Sequence, residues 1–348
     1  MSGREREQMR KKLVPVVGLT LAVTLTAAAC GSSKAADNGG GSSNSPKVTL
    51  SLVAYSTPQA AYTQIIKAFQ KTPAGKNVSF TTSYGASGDQ SRAVANGLKA
   101  DVVAFSLAPD ITRLVKANLV AKDWNSNQYK GMVTDSVVVI GTRKGNPKNI
   151  KTWADLVKPG TEVISPNPFT SGGARWNVMA AYGANSNVGV NQAAGVAYLN
   201  KLFKNIAVQD DSARKSLQTF TNGKGDAIIA YENDMIFAQQ KKQPIDYTVP
   251  DSTILIENPV AVTSDSAHPQ QAKAFLDFLY TPEAQKIYAE NGYRPVVKGA
   301  STINFPTPAH LFTITQLGGW TAVTSEFFDP TKGSVAKIEQ SNGVSTSK

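Results

Sequence analysis

The segment "TEVISPNPFTSGGARWNVMAAYGA", residues 161–184, joins a strand-like stretch to a helix-like stretch through a proline-rich loop. Gly172 and Gly173 stand where the helix begins. Adjacent glycines are unfavourable inside a helix or strand, but they let the backbone come very near another group. We therefore predict that something is held against the backbone at this helix start.

The same alternation of strand-like and helix-like segments runs along the chain from Lys47 onward. The strand-like segments are residues 47–55, 77–85, 100–106, 135–145, 161–167, 226–233 and 252–263, and the helix-like segments are residues 58–72, 89–99, 152–158, 172–184, 211–223, 269–280 and 281–292. This alternation predicts an α/β architecture with largely parallel sheets. A length of 348 residues exceeds what one compact core usually holds, so we expect two lobes.

Composition narrows the class of protein. Hydrophobic residues make up 41% and charged residues 18%, which suits a soluble globular chain. The net charge is +11, but the basic residues are spread out, so we expect a solvated surface and no nucleic-acid partner. One cysteine and two histidines allow no intramolecular disulfide and argue against a His/Cys zinc site. We expect no metal and no cofactor.

The first thirty residues resemble an export signal. A basic stretch, residues 1–12, precedes an apolar run that ends in small residues at Ala29. This pattern predicts a signal peptide over residues 1–29, with a retained membrane anchor as the alternative. The sequence "LTAAAC" resembles a bacterial lipobox and implies lipidation of Cys30, and residues 30–46 then form a flexible Gly/Ser linker. We expect an exported chain that is lipid-anchored to the outer face of the cell membrane.

Four strand-to-helix junctions share small or hydroxyl residues just before the helix begins. They are residues 54–59 (AYSTPQ), 83–90 (SYGASGDQ), 170–176 (TSGGARW) and 210–216 (DDSARKS). A helix start exposes unpaired N–H groups and partial positive charge, which attract anions. Such residues also serve as ordinary helix caps at a single junction. Four junctions together predict one small anion held between the lobes.

Several segments resemble the bacterial sulfate-binding proteins, the extracytoplasmic components of sulfate/thiosulfate ABC importers. The resembling segments are residues 83–111, 143–177, 210–235, 280–296 and 311–320. The resemblance implies the two-lobed fold of type II periplasmic binding proteins, in which each lobe is a mostly parallel sheet flanked by helices. It also implies a ligand in the cleft between the lobes.

On this resemblance we divide the folded body into three parts. We expect residues 47–134 plus about 255–300 to form lobe 1, and residues 135–254 to form lobe 2. A C-terminal helical segment and polar tail would follow over residues 301–348. The last stretch, residues 329–348, is polar, and we expect loose order at its end.

The resemblance also implies the groups that hold the ligand. Ser87 is expected to supply a hydroxyl donor, and Ser171 both a hydroxyl and a backbone donor. Gly172, Gly173 and Ala213 are expected to supply backbone N–H groups.

Ser56 and Tyr231 are also expected to bind the ligand, and both depart from the family pattern. Ser56 stands where the family commonly has an aspartate, and Tyr231 stands where it has a tryptophan whose indole N–H contacts the oxyanion. Arg175 and Arg214 are expected to act behind the direct contacts and not as ion-pair partners of the ligand. Trp176 is expected to serve packing.

Sulfate suits a site of this kind because it carries no proton near neutral pH and needs only hydrogen-bond donors. Monohydrogen phosphate also needs an acceptor, and an unmatched hydrogen bond is costly. If Asp89, Asp210 or Asp211 pointed into the cleft, phosphate would become a candidate ligand. Thiosulfate, molybdate and tungstate are alternatives of similar shape, and ligand-dependent signalling without transport is another.

An extracellular enzyme is the alternative outside the binding class. Asp226, Glu232 and Asp234 lie near a predicted strand end, but the sequence offers no supported catalytic set. We therefore predict no catalytic residues and no enzyme. The expected partners are sulfate or a related oxyanion, a membrane permease with its ATPase, and the membrane through the lipid on Cys30. We expect a monomer.

Overall fold

The computed structural model describes residues 47–346. The predicted signal peptide, the lipidated Cys30 and the linker lie outside these described residues. Within them, no helix has the length and apolar character needed to cross a membrane. They all belong to one unit, Ser45–Lys348.

Within residues 47–346, each of the seven expected strand-like segments contains a strand, and four further short strands were not expected. In chain order they are β1 (Val48–Tyr55), β2 (Val78–Gly85), β3 (Val102–Ala104), β4 (Met132–Arg143), β5 (Val163–Ile164), β6 (Ile206–Val208), β7 (Ala227–Tyr231), β8 (Ile245–Thr248), β9 (Ser252–Val262), β10 (Arg294–Pro295) and β11 (His310–Phe312).

Helices separate most of these strands. They are α1 (Gln59–Phe69), α2 (Ser87–Ala95), α3 (Ala108–Lys116), α4 (Gly172–Asn185), α5 (Gln192–Asn205), α6 (Ala213–Thr221), α7 (Glu232–Gln240), α8 (Pro269–Leu279), α9 (Pro282–Glu290), α10 (Gly319–Phe327) and α11 (Ser334–Ser341). Two short 3-10 helices span Trp153–Val157 and Ile314–Leu317.

The strands form two parallel groups joined by antiparallel connections. The main path of the sheet runs β2-β1-β3-β9-β4-β7-β5-β6. Strand β1 pairs parallel with β2 and β3, and β5 pairs parallel with β6 and β7. The pairs β3–β9, β9–β4 and β4–β7 are antiparallel. The prediction of an α/β architecture with largely parallel groups is confirmed.

The two longest strands, β4 and β9, link the parallel groups. Each changes partner along its length. The start of β4 pairs with β9 through Val137↔Leu255, and its later residues pair with β7 through Val138↔Tyr231. The end of β9 pairs with β3 through Ala104↔Val260. These changes lie near the boundaries expected between the lobes, and the division into lobes itself stays a prediction.

Local sequence accounts for several helix boundaries. In α9 the hydroxyl of Thr281 accepts a hydrogen bond from the N–H of Ala284 at 3.3 Å, and Pro282 occupies the first helical position. Gly292 follows the helix with a φ of +86°, which glycine adopts without strain. In α1 the buried residues recur at helical spacing and include Ile65 and Phe69.

The stretch over residues 329–348, which was expected to be polar and loosely ordered at its end, contains a helix. This helix is α11, in which Val335, Ala336 and Ile338 are buried in the same hydrophobic cluster as the helices α4 and α5. The apolar residues of this helix lie on one face, and their burial outweighs the polar composition of the segment.

Glu339 in α11 has a fully buried side chain. One carboxylate oxygen accepts a hydrogen bond from Gln209 at 2.9 Å, and the other has no partner among the described residues. Burial raises the pKa of Glu339 to about 7. A carboxyl whose pKa is higher in the folded state lowers stability as the pH rises above its unfolded pKa.

We expect the substitution Glu339→Gln to stabilise the protein at about pH 8 and to have little effect near pH 4. The neutral amide avoids the buried charge, which corresponds to a gain of about 1–3 kcal/mol in the free energy of unfolding at the higher pH. Denaturant unfolding at both pH values measures the difference. The exposed Glu326→Gln is the matched control. An equal effect of Glu339→Gln at both pH values would contradict the explanation.

Candidate anion-binding site

One small cavity lies where the four strand-to-helix junctions meet. It is lined by Tyr55, Ser56, Thr57, Gly85, Ala86, Ser87, Ser106, Ser171, Gly173, Ala213 and Tyr231. Each junction singled out in the sequence contributes at least one of these residues. None of the lining residues carries a charged side chain. The cavity can therefore hold a small ligand only through neutral groups.

Ser171 caps the start of α4. Its hydroxyl oxygen accepts a hydrogen bond from the N–H of Ala174 at 3.3 Å, so its hydrogen is available to a ligand. The N–H of Ser171 donates to the carbonyl of Asn167 at 2.9 Å. The expected hydroxyl donor is thus present, but the expected backbone donor of this residue is already engaged within the protein.

The two glycines after Ser171 have different surroundings. Gly173 lines the cavity, and a Cβ atom added there would lie at ordinary contact distances of 3.5–3.6 Å from Ser171, Ala213 and Tyr231. Gly172 does not line the cavity, and a Cβ atom there would come within 2.5 Å of the Ser106 hydroxyl oxygen. Close packing therefore explains Gly172, whereas Gly173 leaves space inside the cavity.

Ser87 corrects one expectation. Its hydroxyl donates to the buried carboxylate of Asp110 at 2.6 Å and accepts from the N–H of Ser106 at 3.0 Å. Asp110 is held in turn by Arg113, whose Nη1 lies 2.9 Å from Oδ1. A hydroxyl has one hydrogen, so Ser87 cannot also donate it to a ligand in this arrangement. What Ser87 can offer is its backbone N–H at the start of α2.

Three helix starts leave backbone donors free at the cavity. The first N–H groups of a helix have no partner within the helix. Within residues 47–346, the N–H groups of Ser87, Gly173 and Ala213 donate to no other protein group. They belong to α2, α4 and α6, and all three residues line the cavity. The same helix starts contribute partial positive charge.

Tyr231 and Ser106 form a pair of hydroxyls on the cavity wall. Their oxygens are 3.2 Å apart, and Tyr231 is only 1% exposed. Burial raises the pKa of Tyr231 well above its ordinary value, so the phenol stays protonated. The carbonyl of Ser106 accepts hydrogen bonds from Trp176 Nε1 at 2.8 Å and Asn258 Nδ2 at 3.0 Å. Trp176 therefore packs behind the wall and fixes Ser106.

Several lining residues were not predicted from the sequence. Tyr55, Thr57, Gly85 and Ala86 lie inside the junctions that were singled out, next to Ser56 and Ser87. Ser106 is the more informative omission. Its signal was available, because it is a hydroxyl residue that follows the strand β3, and ligands collect beyond the carboxyl ends of parallel strands.

Arg214 reaches over the cavity from α6. Its Nη2 donates to the carbonyl of Thr57 at 2.6 Å and lies 4.0 Å from Oδ1 of the buried Asp234. Its guanidinium carbon lies 4.1 Å from the ring centre of Phe237. Burial raises the pKa of Asp234 to about 6, against the opposing effect of Arg214. Arg214 thus joins two junctions without lining the cavity.

Arg175 lies on the far side of the α4 start. Its Nε donates to the carbonyl of Pro168 at 2.9 Å, and its guanidinium carbon lies 4.8 Å from the ring centre of Phe328. Burial lowers the pKa of Arg175 to about 10. It does not line the cavity.

The aspartates that would have favoured phosphate lie outside the cavity. Asp89 pairs with Arg92, and Asp211 pairs with Lys215 at 2.5 Å. Asp210 accepts hydrogen bonds from two hydroxyls of α6, at 2.9 and 3.0 Å. None of the three aspartates lines the cavity.

The three acidic residues considered for catalysis have structural surroundings. Asp226 accepts from Lys148 at 2.7 Å, and Glu232 pairs with Arg294 at 2.8 Å. Asp234 faces Arg214, as described above. In the described part of the chain, no group of acidic, histidine or cysteine residues is arranged to hold a metal ion.

Comparison with known proteins identifies the family. A family model described as bacterial extracellular solute-binding protein matches residues 50–294. A sulfate-binding protein of Synechococcus elongatus is 41% identical over 331 residues, which are 92% of this chain and 94% of the relative. A thiosulfate-binding protein of Pseudomonas aeruginosa is 32% identical over 304 residues, 83% of this chain and 91% of the relative.

A solved structure supports the same conclusion. The sulfate-binding protein SubI of Mycobacterium tuberculosis is 44% identical, with a TM-score of 0.79 over 81% of this chain and all of that one. This similarity, together with more distant binding proteins that share the fold alone, confirms the predicted type II periplasmic-binding-protein fold. The chain belongs to the bacterial extracellular solute-binding proteins, and within them to the family of the sulfate-binding proteins.

Proposed function

We propose that this protein is the extracytoplasmic binding component of an ABC importer and that it captures sulfate in the cavity at the four junctions. The observation that carries the proposal is the lining of the cavity, which is neutral and rich in hydrogen-bond donors. Relatives named sulfate-binding proteins support sulfate as the ligand. Sulfate has no proton to donate, so a wall of donors matches it.

Helix starts and hydroxyls stabilise the dianion without a cationic side chain. Each helix start contributes a partial positive charge of roughly half an elementary charge. Free N–H groups of Ser87, Gly173 and Ala213 point to three such contacts, and the Ser171 hydroxyl adds a fourth donor. Fixed dipoles in a buried site interact strongly with charge because water does not screen them.

We assign the contacts between the predicted lobes to the closed state. The N–H of Gly88 donates to the carbonyl of Thr170 at 3.1 Å, and Arg214 donates to the carbonyl of Thr57. In the proposed cycle, sulfate enters between open lobes, these contacts form as the lobes close, and the closed protein docks on the permease. A permease and an ATPase are the partners, and we propose that the receptor acts as a monomer.

Thiosulfate is the second candidate ligand. A relative of 32% identity is named a thiosulfate-binding protein. Thiosulfate has the same charge and shape as sulfate, with one larger atom, and would use the same donors. A binding role and not a catalytic one follows from the relatives, which are named for the ligands they bind.

The proposal is tested most sharply at Gly173. The substitution Gly173→Ala adds a methyl group at ordinary contact distances, so we expect the fold to survive while the methyl occupies ligand space. Isothermal titration of the dialysed protein should show one-site sulfate binding in the wild type and a loss of at least 100-fold in the variant, comparable to losing about 3 kcal/mol of contacts. Ser171→Ala should weaken binding by about tenfold.

Two measurements serve as controls for these variants. An unchanged unfolding temperature for Gly173→Ala separates blocked binding from misfolding. Ser126→Ala, an exposed serine outside the cavity, should bind as the wild type does. Unweakened sulfate binding by Gly173→Ala would place the ligand elsewhere and overturn the proposal.

We expect Arg214→Met to speed sulfate release. The variant loses the charged hydrogen bond to Thr57, and such bonds contribute about 1.5–3 kcal/mol, so the dissociation rate should rise about tenfold or more. Stopped-flow tryptophan fluorescence measures this rate. Lys215→Met, at the next residue on α6, removes the ion pair with Asp211, which lies in the same predicted lobe, and is the matched control. Equal rates in both variants would exclude a closing role for Arg214.

Lipidation of Cys30 is part of the proposal for location. We expect Cys30→Ser to abolish incorporation of labelled fatty acid and to shift the protein from the membrane fraction to the soluble exported fraction. Metabolic labelling and fractionation of expressing cells measure both effects. Sulfate affinity should not change, because the cysteine precedes the folded body. Labelling that persists in the variant would disprove this attachment site.

A further inference from the structure

Four exposed lysines lie at one end of the fold. Lys67 is in the last turn of α1, and Lys71 follows two residues after that helix. Lys76 is in the loop before β2, and Lys47 stands immediately before β1. We call these four residues the basal lysine cluster.

Backbone contacts bring the three segments of the cluster together. The N–H of Val48 donates to the carbonyl of Asn77 at 2.9 Å, which places the start of β1 beside the loop. The side chain of Gln70 donates to the carbonyl of Val78 at 2.9 Å, which holds the end of α1 against the same place. The cluster therefore combines segments that are apart in the sequence, and the spread of basic residues along the chain does not reveal it.

The positive charge of the cluster is not balanced by its own segments. No aspartate or glutamate occurs over residues 47–88. Among the described residues, none of the four lysines makes an ion pair. Helix α8 packs against the end of α1, but its Lys273 and Asp277 pair with each other at 2.6 Å and add no net charge. The cluster therefore presents a net positive surface.

The cluster lies where the folded body joins the proposed linker. Residues 31–46 lead from the proposed lipid on Cys30 to Lys47. A flexible Gly/Ser-rich chain of that length has a root-mean-square span of about 22 Å. Such a tether confines the cluster to a thin layer above the bilayer. Even a weak attraction then takes effect, because tethering raises the effective concentration of the binding partner.

We propose that the basal lysine cluster binds the anionic headgroups of the membrane that carries the protein. The inference rests on the proposed lipidation of Cys30, which sets the distance between cluster and bilayer. Acidic lipids attract clustered lysines, and each lysine near such a surface strengthens binding by roughly fivefold. The four exposed lysines match this surface in sign and need no apolar contact.

The position of the cluster keeps the anion cavity accessible. Strand β1 runs from Val48, beside the cluster, to Tyr55, which lines the cavity. Its length separates the two places by about 25 Å. A protein that rests on the bilayer through the cluster therefore holds its cavity well above the headgroups, where sulfate can enter between the lobes.

Co-sedimentation with lipid vesicles tests the inference. The chain from Gly31 onward contains every described residue and lacks Cys30, so its binding does not depend on a lipid anchor. We expect it to bind vesicles of about 40% phosphatidylglycerol in phosphatidylcholine far better than vesicles of phosphatidylcholine alone. Binding should weaken as the salt concentration rises from about 50 to about 300 mM, because salt screens exposed charges. Equal binding to both kinds of vesicle would overturn the inference.

Two triple variants assign the binding to the cluster. The first neutralises three of its lysines: Lys67→Gln, Lys71→Gln and Lys76→Gln. The matched control neutralises three exposed lysines of the predicted lobe 2: Lys201→Gln, Lys204→Gln and Lys224→Gln. The first variant should lose at least about tenfold in vesicle partitioning, and the control should keep most of it. Equal losses would mean that net charge alone attracts the protein, against a dedicated surface.

Sulfate titration of the same proteins separates this inference from the proposed function. Unchanged sulfate affinity and unfolding temperature in the first variant would show that its lost vesicle binding is not lost folding. Sulfate binding by the wild type without binding to anionic vesicles would overturn this inference alone. Vesicle binding without sulfate binding would support the lysine surface and end the proposal of a sulfate receptor.

Discussion

The proposed function sets one electrostatic constraint on the structure: a doubly charged ligand must be neutralised in a buried cavity that has no cationic lining residue. Backbone N–H groups at helix starts meet this constraint, but each helix offers only a few of them. Donors must therefore converge from separate helices. The alternation of strands and helices achieves this. One cavity is reached by the ends of the strands β1, β2 and β7 and by the starts of the helices α2, α4 and α6.

Charged groups near the cavity contact the residues of its wall and do not line the cavity themselves. Asp110 orients the Ser87 hydroxyl, and Arg113 holds Asp110. Arg214 spans two junctions, with Asp234 behind it. The lining of the cavity is neutral, and the charged groups lie behind it. Hydroxyl groups therefore set where the cavity offers hydrogen-bond donors and acceptors. Each hydroxyl rotates toward its own hydrogen-bond partner.

The sequence predicted the architecture and the four junctions because both depend on local patterns, such as the glycines at the start of α4. The sequence did not predict to which acceptor each hydroxyl donates its hydrogen bond. The hydrogen of Ser87 goes to Asp110, 23 residues away, and no local pattern contains that contact. The sequence also did not show why position 172 is a glycine, because Gly172 packs against Ser106, which follows the distant strand β3. Helix α11 had a detectable apolar face, but the polar composition of its segment obscured it.

The two long strands β4 and β9 have a mechanical consequence. A single connection between two bodies leaves them free to twist, swing and shear, whereas two neighbouring connections that are hydrogen-bonded to each other resist twist and shear. On the predicted division into lobes, the motion that remains is a swing within the short β4–β9 ribbon, whose two ends are marked by the partner change of β4 and the partner change of β9. Opening and closing then follow one reproducible path, and the donors of the separate helices return to the same relative positions each time a ligand is enclosed.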